Sequence, residues 1–154
     1  MQKVISLIPI GPDGAPRGYA GPLPEVATAV SSATADFYST AGFVEPWICY
    51  LVTHDNAVVG TCGFKSAPRN GRVEIAYFTF PAFEGKGFAS AMAAELVALA
   101  SRQAHSHLIA AQTLPERNAS HRILEKLGFQ HVDTVEHPED GTVWEWQRPV
   151  ARVG

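Results

Sequence analysis

The spacing of apolar residues along the chain changes between two periods, and each change marks a predicted element. Runs rich in β-branched and aromatic residues, bounded by glycine, proline or asparagine, predict seven strands. These strands lie at residues 4–8, 47–53, 58–65, 72–80, 108–113, 129–135 and 142–147. Short turn segments at residues 54–56 and 139–141 join two pairs of them, which are therefore predicted hairpins.

Three segments have the spacing of helices. At residues 25–40 the apolar positions near helical spacing are Val26, Val30, Ala33 and Phe37. Residues 87–103 are rich in alanine, and one face of this helix is predicted at Ala89, Met92, Ala93, Leu96, Leu99 and Ala100. A third helix at residues 120–127 stops at Gly128. The order of elements predicts an α/β fold whose mixed, mostly antiparallel sheet is flanked by helices.

Composition narrows the class of protein. A chain of 154 residues, 46% hydrophobic, is expected to be one domain over residues 1–154. Its net charge of −3 favours neither nucleic acid nor an anionic membrane as a partner. The apolar run at residues 4–10 is a poor secretion signal and no stretch is long enough to span a membrane, so we expect a cytoplasmic protein. Cys49 and Cys62 lie in strand-like runs and are expected to be free thiols.

The segment PAFEGKGFASAM, residues 81–92, places two glycines between a strand and a helix, where backbone often approaches a phosphate. A Walker loop is excluded because Phe80 stands where its first glycine is needed and Gly87 where it needs serine or threonine. A dinucleotide fingerprint is excluded as well. Ser90 replaces its third glycine, and no acidic residue occurs between positions 96 and 115.

Residues 84–89, EGKGFA, are similar to the pattern [Gln/Arg]-x-x-Gly-x-[Gly/Ala], and at this point the sequence resembles the GNAT superfamily of acetyl-CoA-dependent N-acetyltransferases. The preceding strand GRVEIAY, residues 71–77, and the later segment TLPERNASHRILEKLGF, residues 113–129, match further signatures in the same order. The hairpin segment VVGTCGFK, residues 58–65, resembles the branch that contains the ribosomal-protein amino-terminal acetyltransferases. The resemblance covers about residues 46–146.

The resemblance implies acetyl-CoA as co-substrate and no metal. Backbone N–H groups of the strand before the loop would bind the pantetheine arm and the oxyanion, and the glycine turn and helix start would bind the pyrophosphate. The implied cofactor-binding residues are Tyr77, Phe78, Thr79, Gly85, Lys86, Gly87, Phe88, Ala89, Ser90 and Asn118. Two positions depart from the family: Glu84 replaces Gln or Arg, and Leu124 stands where many members carry a tyrosine.

Acetyl transfer to an amine needs a base, an oxyanion site and stabilisation of the thiolate. Glu74, an acid within an apolar strand, is the candidate base or water-holder, and the alternative is a structural carboxylate paired with Arg72 or a cross-strand neighbour. Ser120 is the candidate proton donor, and the alternative is a hydroxyl that caps the third helix. Asn118 is either the N-cap, a pantetheine contact or both.

Further cysteine and histidine residues have alternative roles. Cys62 is a weak candidate for an acetylated intermediate, and His121 is expected on a helix surface, with a role as base as the alternative. His105 and His107 have a spacing that suits a metal, although a solvated helix end is favoured.

The acceptor is expected to be a small-molecule amine or a peptide amino terminus. It would be bound by residues 11–24, the first helix, residues 43–47 and the closing hairpin with Trp144 and Trp146, although most of these aromatics are expected in the core. A homodimer is compatible with the sequence, and a coenzyme A-binding sensor without turnover is the alternative function.

Overall fold

The computed structural model describes residues 3–103 and 108–149. Its strands are β1 (Ser6–Pro9), β2 (Cys49–His54), β3 (Ala57–Phe64), β4 (Arg72–Thr79), β5 (Leu108–Thr113), β6 (Gln130–His137) and β7 (Gly141–Pro149). Its helices are α1 (Glu25–Ala41), α2 (Phe88–Ser101) and α3 (Ala119–Lys126). The strands form one sheet in the order β1-β2-β3-β4-β5-β7-β6. This architecture confirms the predicted mixed, mostly antiparallel α/β fold. No helix in the described residues is long and apolar enough to cross a membrane.

The hairpin between β2 and β3 turns at two residues with positive φ, Asp55 at 48° and Asn56 at 65°. A two-residue turn of this handedness matches the twist of the strands that it joins. The predicted turn at residues 54–56 is therefore confirmed, with His54 as the last residue of β2.

β4 and β5 are parallel neighbours, but they pair over three residues only, from Arg72↔Leu108 to Glu74↔Ala110. Beyond that point β4 pairs only with β3, and β5 pairs only with β7. The two strands therefore diverge in the middle of the sheet, which leaves one edge of each without a strand partner in the described part of the chain.

α1 buries a different face from the stripe of apolar residues that predicted it. Its buried residues are Ala27, Ser31, Thr34 and Tyr38. The Tyr38 hydroxyl donates to the carbonyl of Ile10 over 2.8 Å and accepts from the N–H of Cys49 over 3.0 Å, so the polar end of this residue attaches the helix to the sheet. Val26 and Phe37 remain 37% and 36% exposed.

α2 packs on β3 and β4 and supplies much of the core. Of its predicted inner face, Met92, Ala93, Leu96 and Ala100 are fully buried, whereas Ala89 and Leu99 are half-buried. The buried surface also takes in Phe88, Ala91 and Val97, so α2 is covered over a wider arc than the prediction. The glycine loop at residues 84–87 thus lies between β4 and this buried helix.

Candidate active site

A cavity of about 560 Å³, here called the cleft, lies where β4 and β5 diverge. Its walls come from β4, the end of β5, the start of α3 and the β6–β7 turn. The residues that line it are Lys65, Glu74, Ile75, Ala76, Tyr77, Phe78, Ala111, Gln112, Thr113, Leu114, Asn118, Ser120, Asp140 and Val143. The structure thus brings predicted site residues of β4, among them Glu74 and Tyr77, together with Asn118 and Ser120, which lie about 40 positions later in the sequence.

The hydrogen bonds between β3 and β4 decide which backbone groups of β4 face the cleft. Phe80 donates to the carbonyl of Val59, and Lys65 donates to the carbonyl of Glu74. Because backbone groups in an antiparallel pair alternate in direction, the N–H of the intervening Phe78 also points to β3, whereas the N–H groups of Tyr77 and Thr79 point away from it; of these two residues, Tyr77 lines the cleft. Of the three predicted oxyanion donors, the ladder therefore favours Tyr77 and Thr79 and does not support Phe78.

Glu74 lies in the wall of the cleft with its side chain 13% exposed, and its Oε1 accepts from Arg72 Nη2 over 3.2 Å. The same guanidinium donates over 2.7 Å to Oε1 of Glu145 on β7. The ion pair with Arg72 that was the structural alternative is present, and it also holds the carboxylate at the cleft. This geometry is therefore compatible both with a structural carboxylate and with a base or water-holder at Glu74.

Glu145 is a residue that the sequence analysis missed. Burial acts to raise its pKa, but hydrogen bonds from Arg72, Gln147 and Gln112 outweigh that effect, so the pKa lies below its ordinary value. An acid between Trp144 and Trp146 in a predicted strand was the available signal, because a charge in such a place needs partners.

The start of α3 places Asn118 and Ser120 in the cleft. Asn118 Oδ1 accepts from the Ser120 N–H over 2.9 Å, which makes Asn118 the N-cap, as one of its two predicted roles required. The alternative role of Ser120 as the cap is wrong, because Asn118 occupies that position. Leu124, one turn later, is completely buried in the core and presents no group to the cleft.

Tyr77 was predicted for its backbone alone, yet its side chain also reaches the cleft. Burial raises the pKa of the phenol to about 12, and a side-chain hydrogen bond with Ser120 acts in the opposite direction. The phenol therefore keeps its proton throughout the neutral pH range.

A second cavity of about 320 Å³, here called the α1 groove, adjoins the cleft. It shares four lining residues with the cleft: Lys65, Ala76, Tyr77 and Phe78. Its outer wall is the apolar stripe of α1, which includes Val30, Ala33 and Phe37. The stripe that predicted this helix thus faces a groove beside the candidate site.

β4 leads directly into the glycine loop, through a 3-10 turn at Pro81–Phe83 that the sequence analysis did not predict. Gly85 and Gly87 have φ of 74° and 88°, a region open to glycine but strained for other residues. The first helical hydrogen bond of α2 runs from the Ala91 N–H to the Gly87 carbonyl. The N–H groups of the first turn therefore lie before the point where the helical hydrogen bonds begin. The N-cap residue is Gly87, which has no side chain with which to cap the helix start.

This loop fits a phosphate group. A Cβ on Gly85 would meet nothing within 4 Å, and one on Gly87 would meet only Lys3 Cγ at 3.7 Å, so the backbone is open to an approaching anion. The Lys86 ammonium lies 5.9 Å from the ring centre of Phe83, and Glu84 is exposed at the start of the loop. The Phe88 side chain is buried, so only its backbone is available to a ligand.

His121 is not on a helix surface, as had been expected, but is 1% exposed. Its ring stacks on Trp144 with the centres 5.0 Å apart and lies 5.1 Å from Trp146. Neither ring nitrogen has a hydrogen-bond partner among the described residues. His121 lines neither cavity, which gives no support to its role as base, and both tryptophans pack around it rather than lining the cavities.

The remaining chemical candidates receive little support. Cys49 and Cys62 are both free, as predicted. Burial raises the pKa of the Cys62 thiol, which disfavours the thiolate that an acetylated intermediate requires. The described residues contain no group of three or more potential metal ligands, and His105 and His107 lie outside them.

Comparison with known proteins places this geometry in a family. A family model of the acetyltransferase (GNAT) domain matches residues 16–130. The uncharacterized N-acetyltransferase p20 of Bacillus licheniformis is 36% identical over 81 residues, which cover 52% of this chain and 46% of that protein. The chain thus spans about half the length of this curated relative.

Solved structures agree in fold. The ribosomal-protein-S18-alanine N-acetyltransferase of Escherichia coli superposes with a TM-score of 0.67 at 12% identity, covering 98% of this chain and 97% of that one. RimL, a ribosomal L7/L12 alpha-N-protein acetyltransferase in complex with coenzyme A, gives 0.64 at 16% identity, covering 82% and 72%. Since the family model matches most of its length, the chain belongs to the GNAT acetyltransferase family.

Proposed function

We propose that the protein is an acetyl-CoA-dependent N-acetyltransferase that moves an acetyl group to a primary amine by direct attack in a ternary complex. The main supporting observation is the cleft between β4 and β5, whose walls include the Glu74 carboxylate and the hydroxyls of Tyr77 and Ser120. The acceptor would be a small molecule or a protein amino terminus. Residues 1–154 would form a single N-acetyltransferase domain.

Coenzyme A would be bound along the open edge of β4. Backbone groups of Tyr77 and Thr79 would pair with the pantetheine arm as an added strand does, and Asn118 lies in the same cleft. The glycine turn and the first turn of α2 would bind the pyrophosphate, with Lys86 as a nearby cation. When bound, the cofactor supplies an acetyl group activated as a thioester.

The acceptor would enter on the α1 side of the sheet. Alternation along β4 puts Glu74, Ala76 and Phe78 on that side, where Ala76 and Phe78 line the α1 groove. Glu74 would remove a proton from the amine nitrogen, directly or through water, and the N–H groups of Tyr77 and Thr79 would stabilise the oxyanion. An apolar part of the acceptor would lie in the groove against Phe37.

The alternative is a coenzyme A-binding sensor without turnover. Two observations favour it: Leu124 presents no donor to the cleft, and the Glu84 carboxylate is exposed in the phosphate loop. The two functions are separated by a panel of primary amines assayed for release of free thiol from acetyl-CoA. A transferase releases thiol with at least one amine, whereas a sensor binds acetyl-CoA and releases none.

Calorimetric titration with acetyl-CoA tests the site itself. Wild-type protein should bind with a micromolar dissociation constant, and Gly87→Glu should abolish binding, because it adds a side chain and a negative charge where the pyrophosphate would lie. Gly42→Glu is the matched control. Gly42 has φ of 89° and open surroundings like Gly87, so it suffers similar backbone strain away from the loop. No heat and no thermal shift with wild-type protein would contradict the proposed function.

A further inference from the structure

We infer that the side-chain hydroxyls of Tyr77 and Ser120 form one hydrogen-bond-donating pair that stabilises the departing thiolate while keeping their own protons. The inference rests on the proposed function and assigns a catalytic role to a side chain that the sequence analysis valued for its backbone alone.

The two hydroxyls come from opposite walls of the cleft. Tyr77 is near the end of β4 and Ser120 is in the first turn of α3, and their side chains hydrogen-bond to each other. The N-cap bond from the Ser120 N–H to Asn118 fixes the backbone from which the serine hydroxyl projects. Because residues alternate along β4, Tyr77 lies on the opposite face of the strand from Glu74. Glu74 and the hydroxyl pair thus line one cleft while Glu74 and Tyr77 project from opposite faces of β4, so the base can serve the amine and the pair the leaving sulfur.

The pKa values of the hydroxyls and of the leaving thiol argue against complete proton transfer from this pair to sulfur. An alkyl thiol has a pKa of about 8.5. The Tyr77 phenol has a pKa of about 12, so a thiolate cannot remove its proton to a significant extent. What the pair can donate is a hydrogen bond to the charge that develops on sulfur.

The proposed step balances without another reactant. The bond between the acceptor nitrogen and the carbonyl carbon forms, and the bond between that carbon and sulfur breaks. Sulfur departs with the electron pair and accepts the hydrogen bond from the Tyr77–Ser120 pair. The proton lost by nitrogen goes to Glu74 and then to solvent, and the thiolate takes up a proton from solvent after the transfer.

The surroundings of the pair define its pH behaviour. The charged groups that line the cleft around it are Lys65, Glu74 and Asp140. Cys62, the register partner of Tyr77 on β3, is buried with a raised pKa and remains a thiol. Tyr77 therefore keeps its donor hydrogen well above pH 10, about two units beyond an ordinary tyrosine.

Binding of coenzyme A as a function of pH is the first test, because its readout does not depend on turnover. Donors directed at sulfur favour the bound thiolate, so wild-type affinity for coenzyme A should increase about tenfold between about pH 7 and 9. Tyr77→Phe and Ser120→Ala should each remove most of this increase. Desulfo-coenzyme A, which lacks the sulfur, should bind all three proteins equally at every pH.

The control Tyr50→Phe removes a tyrosine hydroxyl that donates to Pro46 and lines neither cavity, so it should behave as wild type. A pH dependence unchanged in both cleft variants would overturn the inference and leave the proposed function intact. Failure of wild-type protein to bind coenzyme A at all would overturn both. If Tyr77→Phe does not fold, Ser120→Ala decides the outcome, since it removes the other half of the pair.

Kinetics of the double variant provide the second test. Each single variant should lower kcat by about 10- to 100-fold with acetyl-CoA, the effect of one hydrogen bond to a charge, with no change in the acetyl-CoA dissociation constant. The double variant should lose little more than the worse single variant, because the hydroxyls act as one unit. Multiplicative losses would mean independent roles and would contradict a coupled pair.

Discussion

Glu74 and Glu145 bind the same guanidinium but differ in what else they face. Glu74 lines the cleft, whereas Glu145 lies outside it and accepts further hydrogen bonds from Gln112 and Gln147. At the scale of single residues, this contrast separates a carboxylate available to a ligand from one engaged in structure.

Glu74→Gln should lower the rate of acetyl transfer by about 100-fold at neutral pH, as expected for loss of a general base. The deficit should shrink above the pKa of the acceptor amine, about 8 for an α-amine, because a neutral amine no longer needs the base. Initial rates across pH measure the effect, with calorimetry to verify that acetyl-CoA still binds. Undiminished turnover would remove Glu74 from the mechanism.

Glu145→Gln is the matched control for that experiment. It changes a carboxylate on the same Arg72 that does not itself line the cleft, so the folded variant should keep its rate. An equal loss of rate in both variants would indicate that the Arg72 ion-pair geometry, rather than a base at Glu74, supports turnover.

At the scale of elements, α1 shows how one helix serves two surfaces. Its inner face is partly polar and is attached by the Tyr38 hydroxyl to the backbone of residues 10 and 49. Its apolar stripe is left beside the α1 groove. An amphipathic pattern therefore indicated a helix correctly, but the apolar side was not the buried side.

Phe37→Ser should raise the KM for the acceptor about tenfold, because it removes apolar surface from the groove. It should leave kcat and acetyl-CoA binding nearly unchanged. This is the pattern expected when a contact that stabilises the bound acceptor and the transition state equally is removed. The measurement uses the amine that gives the highest rate in the panel. Val26→Ser is the control, since Val26 is equally exposed on α1 but does not line the groove. Equal effects of the two substitutions would contradict a role for the groove.

At the scale of the whole molecule, the sheet consists of two halves that meet at β4 and β5. Strand pairing across this junction covers only three residue pairs, because the strands then separate to form the cleft. Arg72 on β4 and Glu145 on β7 reach across the intervening β5, so their ion pair connects the two halves.

Glu145→Gln should therefore lower the free energy of unfolding by about 2 kcal/mol at neutral pH, as expected for hydrogen bonds to a charged group. The folded-state pKa of Glu145 is below its ordinary value, so its contribution is present above that ordinary value and is lost as pH falls through the lowered pKa. Urea unfolding of both proteins at about pH 7 and about pH 3 measures the difference. A deficit that stays constant with pH would contradict the assigned cause.

The sequence by itself determined the elements, the fold class and the glycine loop. These follow from local physics: the period of apolar residues, the turn chemistry at Asp55–Asn56, and the freedom of Gly85 and Gly87 to adopt positive φ. It also placed Asn118 at a helix start, because an N-cap depends on neighbouring residues only.

Only the tertiary structure decided how those elements meet. Divergence of β4 and β5 depends on strands separated by the whole of α2, and burial of His121 depends on tryptophans of β7. The pairing of Tyr77 with Ser120 joins residues 43 positions apart, which no local pattern reports. Local spacing specifies what each segment forms, whereas a site built from several segments arises from long-range packing.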